Sequence, residues 1–121
     1  MNVAVTSQGK DMTSDVDPRL GRSRFLVVVD TDTGQLAAHD NSETPNTVQD
    51  PGSEAARKVV QLGIKTLITG NIGNQTLAIL EAGNVEAWTG PVGSVGDAVE
   101  RFKAGQLEKG NQLHDEKYYW T

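Results

Sequence analysis

Cysteine is absent from the 121 residues. That absence removes disulfides, thiolate zinc sites and cysteine nucleophiles together. Any metal-containing ligand must then be held by hydrogen bonds, charge or weaker side-chain donors. Aromatic residues are scarce at 5%, and no apolar run approaches the roughly 20 residues that cross a bilayer. Basic residues are outnumbered 11 to 16 by acidic ones, giving a formal net charge of −5. A nucleic-acid footprint needs the opposite balance, so neither nucleic acid nor membrane is an expected partner. The opening MNVAVTSQGK is too lightly charged for a signal peptide and reads as a strand starting almost at residue 1. A cytoplasmic protein is expected, and the length fits one compact domain.

What is present is a series of short apolar segments separated by glycine-rich and polar stretches. Asn2–Thr6 alternates and is β-branched, and Arg24–Asp30 is a continuous apolar run of strand length, which suggests a strand covered on both faces. Asp32-Thr33-Gly34 is a turn signal, with Gln35–Asp40 returning as an edge strand. Ser53 is a candidate cap for a helix whose stripe is Ala55, Ala56, Val59 and Val60. Lys65–Thr69 and Val85–Trp88 read as short strands, with a helix to about Ala82 between them. Ser94 with Asp97 has capping-box spacing, and Val95, Ala98, Val99 and Phe102 follow at helical intervals. The order β–β–β–α–β–α–β–α implies an α/β sandwich with a mixed five-stranded sheet, its later strands parallel and joined by right-handed crossovers. Residues 1–107 form the expected domain and 108–121 a C-terminal tail. Half of the six aromatic residues are Tyr118, Tyr119 and Trp120, which points to a tail that docks or meets a partner.

Ligands of open α/β sheets bind beyond the carboxyl ends of the strands. Three loops leave such ends here. The first holds Arg19, Gly21, Arg22 and Arg24, three arginines within six positions of an acidic chain; the second is Gly70-Asn71-Ile72-Gly73-Asn74, and the third runs from Gly90 to Gly93. The last two lead into helices, whose N-termini present free N–H groups and partial positive charge. Together the loops describe an anion cradle, with the arginines adding full charge and planar donors. Taken singly, each has an ordinary structural explanation. Glycine loops make tight turns, and arginines beside a strand are commonly solvated or paired, here with Asp15 or Asp17. Neither loop is a Walker motif or a dinucleotide fingerprint. His39 and His114 stand alone in sequence, and Asp30 with Asp40 does not by itself make a hydrolytic site. Met12, a possible soft-metal ligand, reads more simply as an exposed methionine.

The segments MNVAV, GRSRFLVVVD, LITGNIGNQTLAIL and TGPVGSVGDAVERFKAGQL resemble the dinitrogenase iron–molybdenum cofactor family over most of residues 1–107. Thr69–Gly73 and Gly21-Arg22 are the most specific parts of the match. The resemblance implies a ribonuclease H-like three-layer sandwich with sheet order 3-2-1-4-5, strand 2 antiparallel, and helices on both faces. It also implies non-covalent binding of an anionic metal–sulfur cluster rather than turnover of a substrate. The absence of cysteine and the loop TSDVDPR, Thr13–Arg19, look closest to the orange-protein branch, whose guest is a molybdenum–copper sulfide cluster. Many members of the family carry His-Phe-Gly where this chain has Arg19-Leu20-Gly21, which leaves charge as the main holding force. The expected function is therefore a cluster carrier or scaffold, not an enzyme. Two alternatives stand beside it: a regulatory module that partners a P-loop ATPase, and a metal-dependent hydrolase, for which the first strand offers no acid.

Overall fold

The computed structural model describes residues 1–41, 51–90 and 93–110. Six strands form one sheet: β1 Asn2–Ser7, β2 Phe25–Asp30, β3 Leu36–Asp40, β4 Thr66–Ile68, β5 Glu86–Thr89 and β6 Glu108–Lys109, in the order β3-β2-β1-β4-β5-β6. β1, β4 and β5 are parallel, while β2 runs antiparallel to β1 and β3 antiparallel to β2. The expected order is thus observed, with a correction to the strand count. A sixth strand, antiparallel to β5, is taken from residues expected to be tail. Two charged residues carry no apolar alternation, so only the free edge of β5 defines this strand.

Among the described residues three helices cover the sheet: α1 Pro51–Gln61, α2 Asn74–Ala82 and α3 Val95–Lys103. Strand side chains alternate between the two faces. Ala4, Leu26, Leu67 and Ala87 point to one side and pack with Ala55, Ala56 and Val59 of α1 and Leu77 and Leu80 of α2. Val3, Val5, Val27, Val29 and Ile68 point to the other and pack with Val95, Ala98 and Val99 of α3. The result is a three-layer sandwich. Each fully buried Leu, Ile or Val contributes about 1.5–3 kcal/mol relative to exposure, so both layers are needed. The ring of Trp88 meets Phe102 edge-on at 5.5 Å, which fastens α3 over β5. α1 begins before the expected cap: Ser53 is buried inside the helix, and Pro51 occupies its first position, where a missing N–H costs nothing.

From β1 the chain turns first to β2 and β3 on one side, then crosses to β4 and β5 on the other. β1 and β4 therefore flank the point where the strand order reverses. Loops leaving their carboxyl ends must meet there.

Candidate anion-binding groove

The loop after β1 is stitched onto the end of β4. Thr6 at the end of β1 donates its hydroxyl to the Asp17 carbonyl at 2.6 Å and lies 2.9 Å from the Thr69 hydroxyl. The Asp17 N–H returns to the Thr6 carbonyl at 2.9 Å, and the Asn71 N–H donates to the Pro18 carbonyl at 2.8 Å. Gly70 is required by this contact, because a Cβ there would lie 2.6 Å from the Pro18 Cα. Closure of the two loops leaves a groove of about 310 Å³ lined by Pro18, Arg19, Leu20, Gly21, Arg22, Gly52, Asn71, Ile72, Gly73 and Thr76. That volume is at the small end of ligand sites.

One wall is the start of α2. Gly73 is its N-cap and has no side chain with which to cap; among the described residues no acceptor engages the N–H groups of Ile72 to Thr76. Unsatisfied amides at a helix start carry partial positive charge and bind anions. The opposite wall supplies guanidinium groups. Arg22 is exposed and has no ion-pair partner among the described residues. Arg19 is paired through Nε with Asp17 at 3.4 Å. Its turn is shaped by Asn41, a buried residue at the end of β3. The Asn41 amide donates to the carbonyls of Leu20 and Ser23 at 2.9 and 3.0 Å, which fixes the backbone on both sides of Arg22.

Of the residues expected at the site, the structure brings Arg19, Gly21, Arg22, Asn71, Ile72 and Gly73 into the groove. Gly70 lies behind it against Pro18, and Asn74 opens α2 without lining it. Arg24 lies elsewhere. Gly21 and Arg22 form a turn, so the extended geometry that would align Arg22 with Arg24 does not occur, and the Arg24 guanidinium sits 5.7 Å from the Phe25 ring centre.

Gly90 and Gly93 are also outside the groove. Gly90 packs against Leu107. At the start of α3 the amides of Gly93 and of Val95 to Ala98 are already used. The N–H groups of Val95 and Gly96 donate to the carbonyls of Ser14 and Met12, that of Asp97 to the Ser94 hydroxyl, and that of Gly93 to the Asp97 carboxylate at 3.0 Å. The Gly93 N–H, opposed by burial and aided by Arg101, holds the Asp97 carboxyl below the ordinary aspartate value of 3.8. One glycine loop is thus a socket and the other a filled cap.

Met12, expected to be exposed, is half-buried and packs against the core on the α3 side, and His39 lies in β3. His114 and the aromatic tail fall outside the described residues, as do Pro91 and Val92. Sequence reasoning missed Pro18, Leu20, Gly52 and Thr76, which line the groove, and Asn41, which shapes it; Asp17 was weighed only as an ion-pair partner for the arginines, and it is the partner of Arg19. Among the described residues no three His, Asp or Glu side chains gather in a metal-holding arrangement. The groove therefore offers guanidinium groups, backbone amides and apolar walls rather than direct metal ligands.

No curated protein matches the chain. Solved structures do. The apo form of the orange protein from Desulfovibrio gigas is 31% identical, with a TM-score of 0.84 over 90% of this chain and 92% of that one. A NifB-type protein from Thermotoga is 29% identical, with a TM-score of 0.75 over 89% of this chain and 91% of that one. A dinitrogenase-type protein from Methanocaldococcus jannaschii, 14% identical, shares the fold, with a TM-score of 0.68 over 92% and 95% of the two chains. The family model for the dinitrogenase iron–molybdenum cofactor spans residues 1–105, both walls of the groove included, and the chain belongs to that family.

Proposed function

We propose that this protein binds and carries an anionic metal–sulfur cluster, specifically a molybdenum–copper sulfide, held without covalent attachment in the groove between Arg19, Arg22 and the start of α2. One observation carries the reading: the amides of Ile72, Gly73 and Thr76, unengaged among the described residues, and two guanidinium groups line a single groove. The donor set suits such cargo. A multiply charged anion is met by Arg22 and Arg19, sulfide surfaces accept backbone N–H groups, and Pro18, Leu20 and Ile72 cover the weakly hydrated faces of soft sulfide. Membership of the family and likeness to the orange protein support a cluster as the guest. A divalent-metal hydrolase would need several carboxylates at this place; Asp17, which sits beside the groove, is already engaged by Arg19.

The test is direct. The protein is mixed with tetrathiomolybdate and a copper salt, desalted, and examined by visible absorbance and metal analysis. Protein-retained colour with a fixed molybdenum-to-copper ratio is expected. Colourless protein with divalent-metal-dependent nuclease activity would overturn the reading.

A further inference from the structure

A buried acid beside an anion site needs explanation, and Asp17 is one. Its side chain is 5% exposed, next to a groove whose proposed guest is negative. Burying a carboxylate costs free energy unless it is paired, and its charge repels the guest. Its local turn does not require the charge. Asp17 Oδ1 accepts the Arg19 N–H at 2.9 Å, a bond that asparagine would make equally well. The same oxygen also accepts from Arg19 Nε at 3.4 Å, and what the charge adds is the strength of that contact with a cation.

Arg19 is otherwise a loose side chain, 65% exposed. A guanidinium engaged at Nε keeps the four N–H donors of its two Nη nitrogens for another acceptor. The segment that carries the pair is rigid, since Asp17 is bonded to Thr6 and Pro18 to Asn71. We infer that Asp17 is a positioning residue: its carboxylate holds Arg19 by the Nε edge so that the Nη edge serves the bound anion, and this orientation outweighs the repulsion between Asp17 and the guest. The inference rests on the groove being the cluster site.

Coulomb attraction and positioning predict opposite signs for Asp17→Asn. Removing a negative charge near an anion should tighten binding if charge alone matters. If Asp17 positions Arg19, the same change should weaken it. The measurement is a titration of the full chain with tetrathiomolybdate and copper, read by visible absorbance, for wild type, D17N, R19K and the double variant. Half-saturation should rise roughly fivefold in D17N and in R19K, where charge is kept but the planar fork is lost. In the R19K background D17N should cause no further weakening. The Arg19 Nε–H resonance should be sharp in the ligand-free parent and broader in D17N, while the thermal midpoint stays close to the parent's. Equal or tighter binding by D17N with Arg19 present overturns the inference and leaves the carrier function standing. If D17N does not fold, R19K decides: parental affinity in R19K overturns the inference, and fivefold weakening supports it. A parent chain that captures no colour sinks both the function and the inference.

Discussion

Arg22 and Arg19 show how differently two arginines of one loop can stand. Arg22 brings to the groove a charge with no ion-pair partner among the described residues, whereas Arg19 arrives with Asp17. Arg22→Ala should therefore weaken cluster retention by about 1–3 kcal/mol, the scale of a lost charged hydrogen bond. The exposure of Arg22 favours the lower half of that range. Retention should also become less sensitive to salt, and a titration at two ionic strengths checks both effects; unchanged affinity with the fold intact would remove Arg22 from the site. Arg19 and Arg22 were legible in the sequence because three closely spaced cations stand out in an acidic chain, although the third, Arg24, lies elsewhere. Asp17 was legible only as a partner for the arginines, and Asn41 not at all. An asparagine after a strand reads as a turn residue, and only the meeting of distant segments gives it work: Asn41 reaches back 21 and 18 positions to Leu20 and Ser23.

Two glycine-rich turns lead into two helices, and in sequence they look alike. Their difference is made by residues 12–16, which run past the start of α3, where the Met12 and Ser14 carbonyls accept its amides, while among the described residues nothing comparable reaches the start of α2. No local pattern encodes which helix a loop from the far end of the chain will cover. The contrast yields a paired prediction. Gly73 has the extended backbone of an N-cap, φ −80° and ψ 163°, and open space where a Cβ would go. Gly73→Asp should stabilise the protein by about 0.5–1 kcal/mol, by capping α2 and restricting the unfolded chain. The new carboxylate would occupy the amides meant for the guest, so the same variant should lose most of its cluster retention. Ser94→Ala should do the reverse, costing about 1 kcal/mol of stability through the lost α3 cap and leaving retention unchanged. Thermal melts and desalting assays on the two variants separate the helices; parallel changes in both would contradict the division.

At the scale of the whole molecule, the β-rich first half and the strand–helix alternation of the second were readable from periodicity, and so was the sheet order once the family resemblance was drawn. β6 was not, because its place depends on backbone pairing and on Lys109 reaching Glu86 at 3.2 Å, not on pattern. Its arrival buries Leu107 against the α3 layer, so Leu107→Ala should destabilise by about 2–3 kcal/mol in denaturant melts. The charge balance leads to a last expectation. Asp97 near the groove end of the sheet and Asp30 at the other end both have carboxyls below the ordinary 3.8, Asp97 chiefly through the Gly93 N–H and Asp30 chiefly through the Asp32 N–H. A depressed folded-state value means that the unfolded chain binds protons first as acid is added. These groups therefore add stability that is complete above about pH 5 and is lost as pH falls through 3.8 and below. In Asp97→Asn the α3 start keeps an acceptor but no charge. Its melting midpoint should lie below that of the parent at pH 7, and the gap should narrow as pH falls below 3.8, because protonation does to the parent what the substitution has already done. A gap of constant size across that range would show that the Asp97 charge contributes nothing to holding α3 in place.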